Sequence, residues 1–346
     1  MELLAEYGLF LLQTLTIVLA LILVIAAITR GAGQQDQTGT IRITDLSKRL
    51  EEQCEYVQNA LKEAQKSERE PLVARLKKVF KKKKSSEATF SPKSEAVVVV
   101  LKFNGDMKAS QVTALRQEVT AILSMAAKPE KVLLKLTSPG GLVHTYGLAS
   151  SQLSRLSEAK IPLAVCVDTV AASGGYMMAV CADEIIAAPF ALLGSIGVVA
   201  QIPNINKFLK NRDADIELHT AGENKRTLTL LGENTPEGRK KFKDDLNRTH
   251  DLFKAWIAHR RPKIKLDEVA DGSIFYGTDA LKRGLCDRIA TSDDILLELS
   301  REHHLIGMNW LEKKTLMSRL GRDASAAIGD QINSFLHRSH QYFARL

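Results

Sequence analysis

The sequence predicts an α/β domain carried behind an N-terminal membrane-spanning helix and a charged helical stalk. Three observations predict it. Residues 9–28 run for 20 positions without a charge, a lysine-rich amphipathic segment follows, and from Ala96 onward β-branched apolar runs alternate with stretches of helical periodicity. These divisions give an anchor over 1–30, a stalk over 31–92, an α/β domain over 93–292 and a helical C-terminal extension over 293–346. With 346 residues, 45% of them hydrophobic, the chain is long enough to bury a stable core.

The first element is "LFLLQTLTIVLALILVIAAI". At about 1.5 Å per residue, a helix of this length spans the roughly 30 Å hydrocarbon core of a bilayer. Glu2 and Glu6 precede it where a cleaved signal peptide carries basic residues, and Arg30 follows, so it reads as a retained anchor. Arg30, Arg42, Lys48 and Arg49 lie on its C-terminal side, which by the positive-inside rule places that side in the cytoplasm, although long domains translocate regardless of charge.

In the stalk, Leu50, Cys54, Val57 and Leu61 form a narrow apolar stripe on an otherwise polar helix, of the kind that pairs with a partner helix. Ser67, Glu70 and Pro71 resemble a second helix start, with Leu72, Leu76 and Val79 on one face. The segment ends in Lys81, Lys82, Lys83 and Lys84. So close to an anchor, these lysines fit anionic headgroups, at about 1 kcal/mol per basic residue; a solvated linker is the other reading. Much of the formal net charge of +8 is concentrated here. No aromatic residues alternate with the lysines to stack bases, and no nucleic-acid partner is expected.

The α/β region follows in order. "AVVVVLKF" reads as a buried strand, Ser110 to Ala127 as a helix, "KVLLKL" as a strand and Thr145 to Glu158 as a helix. "IPLAVCV" reads as a strand, Ser173 to Val180 as a short helix, and "DEIIAAP" as another strand. The apolar run over 185–202 is broken by Pro189, Gly194 and Gly197 and reads as core, not as a second span. Thr235 and Pro236 open a long helix through Arg261, and the stretch from Asp293 is expected to be helical, with Leu305, Trp310, Leu316 and Phe335 available for packing.

Two loops at strand ends carry paired glycines. "TSPGGLVH", Thr137 to His144, leaves backbone N–H groups uncovered, as an oxyanion site requires, but an ordinary Pro-Gly turn has the same composition. In "ASGGY", Ser173 stands where a loop meets a helix, a position that suits either an N-cap or a nucleophile facing the free N–H groups of the first turn. The four cysteines, Cys54, Cys166, Cys181 and Cys286, lie far apart, mostly in apolar surroundings, and read as buried free thiols. "REHH", Arg301 to His304, reads as surface, and neither a metal nor another cofactor is expected.

"TSPGG", "ASGGY", "GSIGV" at Gly194 to Val198 and "AGENK" ending at Lys225, in that order, resemble the signal peptide peptidase A family of membrane-anchored serine peptidases, in particular its SohB type. The match runs from about Val97 to Ala290. The resemblance implies a crotonase-like or Clp-protease-like spiral of βα units. It also implies a Ser-Lys dyad of Ser173 and Lys225, with Ser195 orienting the lysine amine. The N–H of Gly174 and that of Gly140 or Gly141 form the oxyanion hole. It further implies peptide or unfolded protein substrates, a bacterial inner-membrane location with the domain periplasmic, and a homo-oligomer in which one subunit's serine meets its neighbour's lysine. Arg226 follows Lys225 where relatives often carry an acid. His144 and His219 are rival bases, but no Asp or Glu stands ready to orient either. A crotonase-like acyl-CoA enzyme and a non-catalytic membrane scaffold are the alternative functions.

Overall fold

Strand and helix alternate along the chain as the periodicity predicts, with a further strand at each end. The structure, a computed structural model, describes residues 12, 14–16, 39–67, 96–222 and 224–312. The anchor over 9–28 falls largely outside these residues. The second stalk helix beyond Ser67, the four-lysine run and everything after Glu312 lie outside them as well. Among the described residues, no helix is long and apolar enough to cross a membrane.

The chain opens with β1 (Gly39–Asp45) and α1 (Leu46–Ser67), then β2 (Val97–Asn104), α2 (Val112–Ser124), β3 (Lys131–Thr137), α3 (Val143–Glu158) and β4 (Leu163–Val167). There follow β5 (Val170–Ala172), α4 (Gly174–Ala179), β6 (Glu184–Ala187), β7 (Leu192–Gly194), α5 (Asn206–Lys210), α6 (Pro236–Arg260) and α7 (Leu266–Val269). The last described elements are β8 (Ile274–Tyr276), α8 (Gly277–Lys282), β9 (Arg288–Ile289), α9 (Ser292–Leu299) and β10 (His304–Glu312).

Seven strands form one sheet in the order β1-β10-β2-β3-β4-β6-β9, and the pairs from β10 to β9 are parallel. A parallel sheet is buried on both faces, which is why β2, β3 and β4 read as nearly unbroken apolar runs. One face packs Val98, Val100, Leu133, Ala164, Cys166 and Ile186 against Ile295 of α9, with Leu46 and Leu50 of α1 at its margin. Alternation along the strands turns Val99, Leu101, Leu134 and Val165 to the other face, where they are buried together with Leu115, Ile122, Leu153 and Leu156 of α2 and α3. A smaller sheet, β5-β7-β8, is joined to the end of β3 by a parallel bridge from Ser138 to Ala171.

Two segments depart from the helical expectation. Within the proposed stalk, residues 39–45 form β1. Beyond Asp293 the chain is helical only to Leu299 and then returns as β10, which pairs with β2 from His304↔Val97 onward. Without β10 the β2 edge would expose a row of unpaired backbone groups, and the strand also buries Leu305 and Met308. The histidines of "REHH" are not free surface groups: His303 Nε2 meets Glu130 at 3.2 Å and His304 Nε2 meets Asp45 at 3.5 Å. The apolar run over 185–202 holds β6 and β7, as its breaks predict.

Contacts divide the chain into two units. Arg42–Asn309 contains every candidate site residue, and the other unit combines Met1–Ile41 with Trp310–Leu346. In the latter, Gly39 lies so near the Trp310 ring that a Cβ there would come within 2.4 Å of it.

Candidate active site

Two short parallel strands bring Ser173 and Ser195 side by side. In the β5–β7 pair, Ala172 stands opposite Gly194, so the next residue of each strand is a serine. Neighbouring strands lie about 4.8 Å apart. Ser173 N–H donates to Gly194 O at 2.8 Å, and Ser195 N–H donates to Ser273 O at 2.7 Å. Both serines hold φ at 50°, a left-handed value that non-glycine residues rarely adopt and that costs on the order of 1–3 kcal/mol each. Ser173 is the N-cap residue of α4, yet its side chain makes no capping hydrogen bond. The capping role that composition allowed is therefore unfilled, and Ser173 lines a cleft together with Gly141, Val143, Met177, Val198, Thr249 and Phe253.

The first glycine loop is held against this turn by Ser138. Ser138 N–H donates to Val170 O at 2.8 Å, and Ser138 O accepts from Ala172 N–H at 3.0 Å, which locks the loop onto the strand leading to Ser173. Gly140 N–H donates to Ser138 Oγ at 3.1 Å, Ser138 Oγ meets Tyr146 Oη at 2.7 Å, and Tyr146 Oη donates to Asp106 O at 2.8 Å. The chain is fully buried at Ser138 and Tyr146, and burial pushes the Tyr146 phenol up, so it remains a donor. Gly140 has φ +88, and a Cβ on it would sit 2.7 Å from both Ala172 O and Ser173 Cβ. Its N–H being committed to Ser138, Gly140 brings the loop close and leaves the donor role to its neighbour. Among the described residues, the N–H groups of Gly141 and Gly174 carry no hydrogen bond.

Lys225 is not among the residues that line this cleft. It lies on the long connection from α5 to α6, and its side chain is exposed with no hydrogen bond or ion pair among the described residues. The connection is tied at its base: Asn204 Nδ2 donates to Thr229 O and Gly232 O, both at 3.0 Å, and Asn206 Nδ2 donates to Leu231 O at 2.8 Å. Neither rival base lines the cleft: His144 is exposed on the first turn of α3, and His219, which against expectation does have an acid beside it, Glu217 at 3.2 Å, is exposed as well.

Sequence reading missed Ser138, Tyr146 and the face of α6 that meets the site. Ser138 was visible in "TSPGG" as the residue before Pro-Gly-Gly, but its partner Tyr146 could be matched to it only in three dimensions. On α6, Thr249 and Phe253 line the cleft, and Trp256 Nε1–H donates to Met177 O at 3.1 Å. Cys166, Cys181 and Cys286 are buried free thiols, as expected, whereas Cys54 is an exposed one.

Comparison with known proteins identifies the family. The model of "Peptidase family S49 N-terminal" matches residues 2–153, and that of "Peptidase family S49" matches residues 155–305. A protein of Haemophilus influenzae described as "Probable protease SohB" is 42% identical over 99% of both chains. A protein of the same description from Buchnera aphidicola subsp. Schlechtendalia chinensis is 46% identical over 86% of this chain and 99% of its own. Among solved structures, a mutant of the 1510-N membrane-bound stomatin-specific protease aligns over 59% of this chain and 84% of its own, with a TM-score of 0.34 and 15% identity. The chain belongs to peptidase family S49 and is a serine peptidase.

Proposed function

We propose that this peptidase works through a dyad of Ser173 and Lys225 on peptide or unfolded protein segments, from a crotonase-like spiral domain anchored in the bacterial inner membrane by residues 9–28. One observation supports the nucleophile above all. Ser173 sits at a strained turn without a capping hydrogen bond and lines one cleft with Gly141 and Gly174, whose N–H groups carry no hydrogen bond among the described residues.

In this reading Ser173 Oγ attacks the scissile carbonyl carbon while the Lys225 amine takes its proton. The carbonyl oxygen, now negative, accepts hydrogen bonds from Gly141 and Gly174, donors typically worth about 3 kcal/mol each. The ammonium then protonates the leaving amine, an acyl-enzyme forms, and water, deprotonated by the same amine, releases the second product. Ser195, one strand across from the nucleophile, hydrogen-bonds the lysine amine and orients it.

Because the Lys225 side chain is exposed and makes no hydrogen bond or ion pair among the described residues, a homo-oligomer whose neighbouring subunit presents it to Ser173 is the assembly that fits. Lys81, Lys82, Lys83 and Lys84 lie within the same juxtamembrane stretch and add attraction to anionic headgroups. This reading has the domain in the periplasm, and the family resemblance supports it. The test is labelling with a serine-directed fluorophosphonate, followed by peptide mapping. The label is expected on Ser173, and Ser173→Ala should lose both label and peptidase activity while remaining folded. Activity retained by Ser173→Ala would end the assignment.

A further inference from the structure

The cleft is walled on one side by α6, a helix that carries none of the residues assigned to catalysis. His250, Phe253, Trp256 and Arg260 fall three or four positions apart and so share one face of it. Each meets a different part of the site. His250 Nε2 lies 3.1 Å from Ile196 O, the carbonyl directly after Ser195. A carbonyl can only accept, so Nε2 carries the proton. Phe253, 4% exposed, closes the cleft beside Ser173. Trp256 Nε1–H donates to Met177 O, and Met177 N–H in turn donates to Ser173 O at 2.9 Å. Arg260 stacks 3.9 Å over the Trp256 ring and donates to Ser154 Oγ at 2.7 Å, on the helix that follows the Gly140–Gly141 loop.

We propose that His250 and Trp256 are positioning residues, through which α6 fixes the Ser195 segment and the nucleophile helix α4 relative to each other. The inference rests on Ser173 being the nucleophile. The two bonds are directional and end on backbone carbonyls within four residues of Ser195 and Ser173. Losing either frees a segment whose placement decides whether Oγ and the oxyanion donors meet the same carbonyl group. Misplacement by about 1 Å can cost on the order of a hundredfold in rate. A helix that served packing alone would be satisfied by apolar residues of similar volume at both positions. Here both carry a ring N–H aimed at a carbonyl beside the site.

The experiment compares His250→Leu, His250→Gln and Trp256→Phe with the unmodified full-length chain. It measures kcat and KM on a fluorogenic peptide and the rate of fluorophosphonate labelling at Ser173, at urea concentrations where each variant is fully folded. His250→Leu and Trp256→Phe are expected to lower kcat and the labelling rate by about tenfold, with KM within roughly twofold of the original. His250→Gln, which keeps an N–H donor of similar reach, should recover most of the loss. Unchanged kcat and labelling in both donor-less variants would overturn the inference, as would a glutamine variant no better than leucine. Should His250→Leu fail to fold, Trp256→Phe and His250→Gln decide it by the same readings. If the unmodified chain takes no label on Ser173, the nucleophile assignment falls and this inference falls with it. If Ser173 is labelled and the variants react at the original rate, only the inference falls.

Discussion

Ser173 keeps φ at 50° and ψ at −118°, a conformation that suits glycine and that a serine tolerates only because β5, β7 and α4 over-determine it. Ser173→Gly should therefore stabilise the fold by about 1 kcal/mol, strain relief less the entropy of a more flexible unfolded chain, while abolishing peptidase activity. Urea unfolding checks this, and a less stable glycine variant would show that no strain is stored there. Gly140→Ala has the opposite character: its Cβ would press on Ala172 O and Ser173 Cβ, so activity should fall by at least an order of magnitude. The buried thiols respond to alkali. Burial pushes Cys166 up to about 12 and Cys181 and Cys286 up to about 11, from an ordinary value of 9.0. The folded chain holds these protons more tightly than the unfolded one. The associated stability is complete below about pH 9 and is lost as pH rises toward 11–12. The melting temperature should drop across that window, and at neutral pH only Cys54 should alkylate readily.

At the scale of elements, α9 covers one face of the main sheet and β10 extends the sheet beyond β2. Asp168, just past β4, accepts from Ser292 N–H at 2.7 Å and from Ser292 Oγ at 2.6 Å, and Thr291 with Asp294 completes a capping box one residue before. Hydrogen bonds to a charged acceptor contribute about 1.5–3 kcal/mol, so Asp168→Ala should destabilise the domain by about 2 kcal/mol in urea with little effect on kcat, since α9 lies away from the cleft. β10 matters more, because its removal would expose both an edge and the apolar face holding Leu305.

For the whole molecule, the assembly decides where the base comes from. A homo-oligomer with a shared site predicts that Ser173→Ala and Lys225→Ala, each inactive alone, regain part of their activity when co-assembled, and that activity falls on dilution. Mixtures that stay inactive, with mixed oligomers confirmed by differently tagged chains, would refute the shared site. A chain lacking residues 1–30 should leave the membrane fraction. If the four-lysine run retains it, high salt should release it, because headgroup attraction is screened within about 8 Å at physiological ionic strength.

Legible from consecutive residues are the α/β alternation, the positions of β2, β3, β4 and β6, the start of α6 at Thr235 and Pro236, and the peptidase family. Those features are local: apolar period, turn chemistry and short ordered motifs are written in consecutive residues. The sequence did not show that residues 39–45 and 304–312 would be strands, because strand pairing is decided by the partner edge, here β10 on β2. Nor could it show that Gly140 has its N–H engaged by Ser138, since that depends on a buried chain through Tyr146 to Asp106, 32 residues away in sequence from Gly140's neighbour Ser138. The face of α6 is the clearest case. Its residues read only as a long helix, and tertiary packing brings His250 to Ile196 and Trp256 to Met177, where a ring N–H acquires a carbonyl to hold.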